Sequence, residues 1–256
     1  MSLSNFTTNH RRKTGCCQLL TALIFLLLTG ISSSVYSQQF NADNWWVVPH
    51  GVGTGVATIG ENYSTMYLGY GFTPGWEVDI APTIYEEDPV SGAAARYSTT
   101  AYVKGLIWEN QESTGGASVM AGIGQSPGYH QAGTKTNDFD SYWAALPLTL
   151  PFLDNTISWD IMPGVLYNRE YGINEKSAWG FSYSTRVAIY KIIPQSAIVA
   201  EVFGATGEAE AEAQYKAGVR WESKYAFAAL TYGDGLEGNE GGGLELGFIF
   251  FTVPWF

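Results

Sequence analysis

The sequence is poor in cysteine, in charge and in long apolar runs. Its two cysteines are adjacent, at Cys16 and Cys17, so nothing after them can rely on disulfide or thiol chemistry. Charged residues make up 14% of the chain, compared with roughly 25% in ordinary soluble domains. After residue 40, no stretch approaches the run of about 18 apolar residues that predicts a membrane-spanning helix. These shortages exclude a helical membrane protein and fit a soluble helical enzyme poorly.

Positive charge is also scarce, and part of it lies in a predicted targeting segment. Arg11, Arg12 and Lys13 precede the apolar run Leu19–Leu28, and Val35-Tyr36-Ser37 offers a cleavage site before Gln38. This pattern predicts a secretory signal peptide over residues 1–37. Its removal takes three of the 13 Lys and Arg residues and none of the 24 Asp and Glu residues, so the net charge moves from −11 to −14. Such an acidic chain argues against nucleic acid as a partner.

What the chain has in abundance is alternation with a period of two. In residues 214–222, apolar Tyr215, Ala217, Val219 and Trp221 alternate with Gln214, Lys216, Gly218, Arg220 and Glu222. Only a β-strand separates residues of that period into two faces. Similar alternation gives twelve candidate strands, over residues 44–58, 63–72, 75–86, 96–108, 116–125, 139–150, 156–168, 178–191, 196–205, 212–222, 225–233 and 242–252.

The connections between these candidates alternate between short and long. Thr73-Pro74-Gly75 is short and 87–95 is long, and the tight turn Ser223-Lys224 precedes the long connection 234–241. Barrels of the bacterial outer membrane have short periplasmic turns, longer external loops and an even number of strands. The first connection, residues 60–63, is short where this rule expects a long one.

The prediction is therefore an all-β protein, a single antiparallel transmembrane β-barrel of about 12 strands, with 10–14 possible. Residues 38–256 form this one domain, an integral protein of the outer membrane of a Gram-negative bacterium. The expected partners are outer-membrane lipids, a small-molecule solute, and the barrel-assembly machinery and periplasmic chaperones during export.

Several segments resemble the MetA-pathway (phenol-degradation) type of outer-membrane protein. They are Gly69–Val78, Ala200–Gly204, Ala217–Trp221, Ala229–Gly233 and Gly243–Gly247. The resemblance implies a barrel of about a dozen strands and a role in the passage of small, often hydrophobic, compounds. The carboxyl terminus departs from the usual barrel ending. Glu245-x-Gly247-x-x-Phe250 resembles an assembly signal, but further residues follow it, including Pro254.

The polar faces of the candidate strands carry ten charged residues that we expect to line the lumen. Six are acids and four are bases: Glu77, Asp79, Lys104, Asp160, Arg186, Glu201, Lys216, Arg220, Glu222 and Glu245. A porin-like pore with a mixed-charge constriction would use such a set. A closed barrel would use the same residues as ion pairs that fill its interior.

Aromatic residues lie near the ends of the candidate strands, where girdles meet the lipid headgroups in outer-membrane barrels. The predicted membrane-interface aromatics are Trp45, Trp46, Trp76, Trp108, Tyr167, Trp221 and Phe256.

The leading functional hypothesis is passive transport of small molecules through an outer-membrane channel, without catalysis, metal or cofactor. One alternative is a closed structural barrel whose external loops bind a partner. Another is an outer-membrane hydrolase with a rim active site, for which His130 near Asp138 and Asp140 offers an acid–base pair. The acidic, glycine-containing segments 207–212 and 233–241 offer oxygen ligands for Ca²⁺ but lack the spacing of a known calcium motif.

Overall fold

The computed structural model describes residues 43–61, 63–85, 96–125, 139–171, 176–209, 211–223, 226–236 and 243–253. In these residues every regular element is a β-strand. Across the same ranges, no helix is both long enough and apolar enough to span a membrane.

The strands form one antiparallel sheet that closes on itself. They are β1 Gly53–Gly60, β2 Tyr63–Thr73, β3 Trp76–Tyr85, β4 Arg96–Glu109, β5 Gly116–Gln125, β6 Phe139–Ala145, β7 Leu148–Phe152, β8 Ile157–Tyr171, β9 Lys176–Tyr190, β10 Ser196–Gly207, β11 Ala211–Glu222, β12 Ala226–Gly235 and β13 Gly243–Phe251. Strand β1 pairs with both β2 and β13, and this second pairing closes the barrel.

Strands β6 and β7 are two halves of one barrel strand, because both pair with β5 and with β8. The interruption falls at Leu146 and Pro147, where proline cannot donate to a ladder. Leu146 N still donates to Pro163 O (3.0 Å) and Pro147 O accepts from Ser118 N (2.9 Å). The barrel therefore has 12 strands, which confirms the predicted fold and strand number.

The two faces of the sheet differ as the alternation predicts. In β13, Leu244, Leu246, Phe248 and Phe250 are exposed, whereas Glu245 and the other intervening residues are buried. In β11, Val219 and Trp221 are exposed while Lys216 and Arg220 are buried. The barrel thus has an apolar outer surface and a lumen that contains its charge, as an outer-membrane barrel does.

One end of the barrel is marked by short turns. The short turns at residues 74–75, 153–156 and 191–195 lie at the same end as the start of β1 and the end of β13. We call this the periplasmic end, following the rule for outer-membrane barrels. Gly75 takes φ of +77° in the shortest of these turns, a conformation that suits glycine.

The predicted first strand, residues 44–58, is wrong in its first half. Strand β1 begins only at Gly53, and it is preceded by residues 43–52, which we call the strap. Residues 43–48 of the strap are buried or half-buried inside the barrel, whereas Pro49 and His50 are exposed. Pro49 cannot donate to a ladder, and Gly51 adopts φ of +79° and turns the chain inward. Trp45, Val47 and Val48 are buried there.

Candidate functional site

The ten predicted lumen residues are almost all buried. Nine are buried outright, and the Glu222 side chain is 21% exposed. Because the exposed face of the sheet is apolar, these buried charges lie inside the barrel. The structure brings them together in three groups: a ladder on β8–β11, a pair of ion pairs on β11–β13, and a cluster on β3 and β4 beside the strap.

The first group is a ladder of alternating charge. Asp160 on β8 lies opposite Arg186 on β9, Arg186 lies opposite Glu201 on β10, and Glu201 lies opposite Lys216 on β11. Directly opposed positions in a sheet bring side chains within contact distance. Acid and base therefore alternate across four neighbouring strands of the lumen wall.

Hydrogen bonds fix the ladder at one end. Arg186 donates to Asp160 Oδ2 from Nε (2.8 Å) and lies 2.7 Å from it through Nη2. Thr149 Oγ1 donates to Asp160 Oδ1 at 2.6 Å, and Ser184 Oγ donates to Glu201 Oε1 at 2.6 Å. Buried charges need this degree of compensation, since an unpaired charge in a protein interior is costly.

The second group extends the ladder to β13. Lys216 Nζ lies 3.0 Å from Glu245 Oε2 and also donates to the Tyr63 hydroxyl. Gly233 on β12 lies directly opposite Lys216, and a Cβ there would lie 2.9 Å from Lys216 Cγ. The missing side chain leaves the lysine room to lie across β12.

Nearer the periplasmic end, Arg220 pairs with Glu222. Arg220 Nε donates to Glu222 Oε1 at 2.6 Å, and Nη2 donates to the Tyr190 hydroxyl at 2.7 Å. Tyr190 ends β9 and Glu222 ends β11, so this arrangement joins the ends of two strands that flank β10.

The third group holds the strap. Lys104 on β4 is 1% exposed; its Nζ lies 2.8 Å from Asp43 Oδ2 and 3.6 Å from Glu77 Oε1. It also donates to the Trp46 carbonyl at 2.6 Å. Val48 N donates to Glu77 Oε2. One lysine thus joins two acids, of which one belongs to the wall and one to the strap.

The strap follows the inside of the wall from β7 to β1. Trp45 N donates to Thr149 Oγ1 on β7 (3.3 Å) at one end. At the other end, Gly51 N donates to Gly71 O (2.8 Å), and Gly71 N donates to Val52 O (3.0 Å). A Cβ on Gly71 would lie 2.2 Å from Pro49 O, so only glycine fits beneath the strap at this position.

Two of the predicted interface aromatics are in the wrong place. Trp45 is 3% exposed inside the barrel, against Gly116 of β5. Trp46 meets Phe251 edge-on, with ring centroids 6.2 Å apart, and lines an internal crevice. Both belong to the strap and not to the outer surface, so the interface prediction is wrong for them.

The remaining five predicted interface aromatics stay predictions. Trp76, Trp108 and Trp221 are exposed near strand ends, and Tyr167 packs on Trp179 with ring centroids 4.6 Å apart. Phe256 lies outside the described residues.

A row of aromatic residues and one acid crosses the wall next to the Lys104 cluster. Five residues lie opposite one another on the neighbouring strands β2 to β6: Gly69, Asp79, Tyr102, Gly122 and Trp143. The Tyr67 hydroxyl donates to Asp79 Oδ1 at 2.5 Å. Asp79 is among the residues predicted from the sequence, but Tyr67, Tyr102 and Trp143 are not, although the same alternation places them on the inward face. Asp43 was not predicted either. Pro49 and Gly51 were the available signal that the residues before them, including Asp43, do not belong to β1.

The alternative sites are only partly described. His130 and Asp138, proposed for a rim hydrolase, lie outside the described residues, whereas Asp140 is buried at the start of β6. The proposed calcium-binding segments are incomplete in the same way. Within the described ranges, no group of three or more His, Cys, Asp or Glu residues could hold a metal ion.

Comparison with solved structures identifies the fold. An outer-membrane channel from Pseudomonas putida F1 matches with a TM-score of 0.57 at 11% identity, covering 84% of this chain and all of that one. The outer membrane protein Omp33 of Acinetobacter baumannii covers 79% of this chain and 98% of its own at 10% identity, with a TM-score of 0.43. The outer membrane phospholipase A of Escherichia coli covers 87% of this chain and 96% of its own at 8% identity, with a TM-score of 0.40.

Only the first of these likenesses is close enough to support an argument, and at its low identity it shows the fold alone. This chain therefore has the fold of an outer-membrane β-barrel. No protein-family model and no curated protein matches the chain.

Proposed function

We propose that the mature chain, residues 38–256, is an integral protein of a Gram-negative outer membrane and a passive channel for small molecules. The observation that carries the proposal is a closed barrel whose outside is apolar and whose lumen holds at least four acid–base pairs. A water-filled barrel has a polar interior, and rings of charged side chains can set the ion selectivity of a pore. The channel has no catalytic step and no cofactor.

The likeness in fold supports the same reading. The solved structure from Pseudomonas putida F1 is described as an outer membrane channel and matches over its whole length. We further propose that this chain passes a small solute, is inserted by the barrel-assembly machinery after export with periplasmic chaperones, and contacts outer-membrane lipids.

The strap defines how such a channel would be gated. It follows the wall from β7 to β1 and fills part of the lumen at the periplasmic end. In the channel, solutes pass beside the strap or after it moves. This feature also favours one competing function, a closed barrel in which the strap and the ion pairs seal the lumen permanently.

Single-channel recording separates the two functions. The mature chain would be refolded, checked for a heat-modifiable band on gels, and inserted in a planar bilayer at two salt concentrations. Discrete conductance steps are the expected result. Neutralising Arg186 or Arg220 should then change conductance or ion selectivity. If the folded protein never conducts, and these two variants change only its stability, the channel proposal fails and the closed barrel stands.

A further inference from the structure

The acid–base balance is unequal on the two sides of the lumen. On β8–β13, Asp160, Glu222 and Glu245 each have a basic partner within 3.0 Å. Beside the strap, Lys104 pairs with both Asp43 and Glu77, and Asp79 lies two residues after Glu77 on the same face of β3. Among the described residues, three acids therefore share one base where the strap meets the wall.

Of these three acids, Asp79 is the one that forms no ion pair with Lys104 among the described residues. It is 2% exposed. Its Oδ1 accepts from Tyr67, whereas its Oδ2 is buried with no hydrogen-bond partner in the part of the chain that the structure describes. A buried carboxylate oxygen with no donor is costly, and an ammonium or another N–H donor would satisfy it.

Aromatic rings surround this acid in register. Tyr102 lies directly opposite Asp79, and its ring centroid is 6.0 Å from that of Tyr67 and 5.2 Å from that of Trp143. Gly122 stands between Tyr102 and Trp143, and a Cβ there would lie 2.6 Å from Tyr102 Cβ and 2.7 Å from the Trp143 ring. The glycine thus brings the two rings into contact.

We propose that Asp79, with Tyr67, Tyr102 and Trp143, forms a recognition site for a small organic ammonium solute. The inference rests on the proposed channel function and specifies its solute class. The ammonium donates to Asp79 Oδ2, and its organic part packs on the aromatic rings. Carboxylate plus aromatic face is the combination that proteins use for organic cations.

The strap adjoins this site. A narrow crevice, with room for about one water molecule, is lined by strap residues Asn44, Trp46 and Val48, and by Tyr67 and Glu77 from the wall. Because Asp79 is buried in the strapped state, solute entry requires Tyr67 or the strap to shift. Release of the strap would also remove Asp43 and its charge from beside Lys104.

The test measures binding and conduction separately. Isothermal titration of the folded mature chain in detergent would use benzylammonium, with benzyl alcohol as its neutral analogue and benzoate as its anionic one. The same three compounds would be applied to single channels. Benzylammonium should bind at least tenfold more tightly than either analogue, and its blockade of current should show the same preference.

Substitutions test whether benzylammonium binds at Asp79. D79N should weaken benzylammonium binding about tenfold or more, since it removes a charge-assisted hydrogen bond. Y102L should weaken it about two- to tenfold through loss of the aromatic face. D140N removes another buried acid, at the start of β6, and should change the binding constant less than twofold. If D79N fails to fold, the binding constant of Y102L still tests whether the aromatic residues beside Asp79 bind benzylammonium.

Each result bears on one proposal. Conduction without a preference for benzylammonium, or equal binding by D79N and the wild type, overturns the site and leaves the channel standing. Binding that depends on Asp79 in a barrel that never conducts keeps the site and overturns the channel. Complete competition by equimolar K⁺ would show a site for inorganic cations and overturn the organic-ammonium assignment.

Discussion

Lys104 is the residue whose loss should release the strap. Its Nζ lies 2.8 Å from Asp43 and 3.6 Å from Glu77, and it donates to the Trp46 carbonyl at 2.6 Å. The substitution K104M keeps much of the volume but leaves two acids buried without their shared base. Glu77 is fixed in β3, whereas Asp43 can return to water if the strap leaves. The strap should therefore move outward while the barrel stays closed.

The size of the effect follows from these contacts. Removing one partner of a buried ion pair costs about 3–5 kcal/mol, and the hydrogen bond to the Trp46 carbonyl adds about 1 kcal/mol. Part of this cost remains with Glu77, so we assign about 3 kcal/mol to the strap. That shifts its equilibrium between bound and released forms about a hundredfold.

A single cysteine reports the position of the strap. Both natural cysteines lie in the predicted signal peptide, so V47C places one thiol in the mature chain, at a position where the valine is buried. Labelling by a polar maleimide should be about a hundredfold faster in the double variant K104M/V47C than in V47C alone. Single-channel conductance should rise in K104M. R220M in the V47C background is the control for labelling, because it breaks a buried pair that does not touch the strap. Unchanged labelling in folded K104M would refute this account.

The partners of the strap and of the ladder give three further tests. G71V should accelerate labelling of V47C with Lys104 intact, because the added Cβ would lie 2.2 Å from Pro49 O; G53A, whose methyl would first meet the Thr252 side chain at 3.3 Å, should not. G233A should lower the free energy of unfolding by about 1–3 kcal/mol in urea titrations, because its methyl displaces Lys216 from Glu245. An unchanged denaturation midpoint would show that Lys216 has another route to Glu245. R186M should cost about 3–5 kcal/mol by the same measurement, since Asp160 loses its base, whereas D160N combined with R186M should recover part of that loss.

Much of the fold could be predicted because alternation reports directly on a two-faced sheet. Lys216, Arg220 and Glu245 could be placed on the inward face from neighbouring residues alone, and the structure buries Lys216, Arg220 and Glu245 there. Strand number followed from turn spacing, since each hairpin needs its own turn. The break at Leu146 and Pro147 did not change that number, because β6 and β7 share both neighbours.

The strap could not be separated from a strand by alternation. Residues 44–48 pair with no described strand, yet they are all buried except half-buried Trp46, and a short buried run of this kind is equally compatible with a strand. The useful signals were Pro49 and Gly51, which interrupt a strand for reasons of donor loss and backbone angle. The partners of the buried charges could not be predicted either, because no local pattern indicates that Lys104 pairs with Asp43, 61 positions away in the sequence.

The two sides of the lumen follow different electrostatic rules, and this difference connects gating to recognition. On β8–β11 the acids and bases are held in a fixed ladder by strands that cannot move apart without opening the barrel. Beside the strap, one acid of the cluster belongs to a segment held by a few hydrogen bonds and one lysine. When that segment leaves, Lys104 can pair more fully with Glu77, and the local charge becomes less negative by one. A cation at Asp79 acts in the same direction, because it too reduces the excess of acid over base. Strap release and cation binding therefore relieve the same imbalance of charge, so their electrostatic contributions oppose each other, and this opposition works against the access to Asp79 that strap release gives the solute.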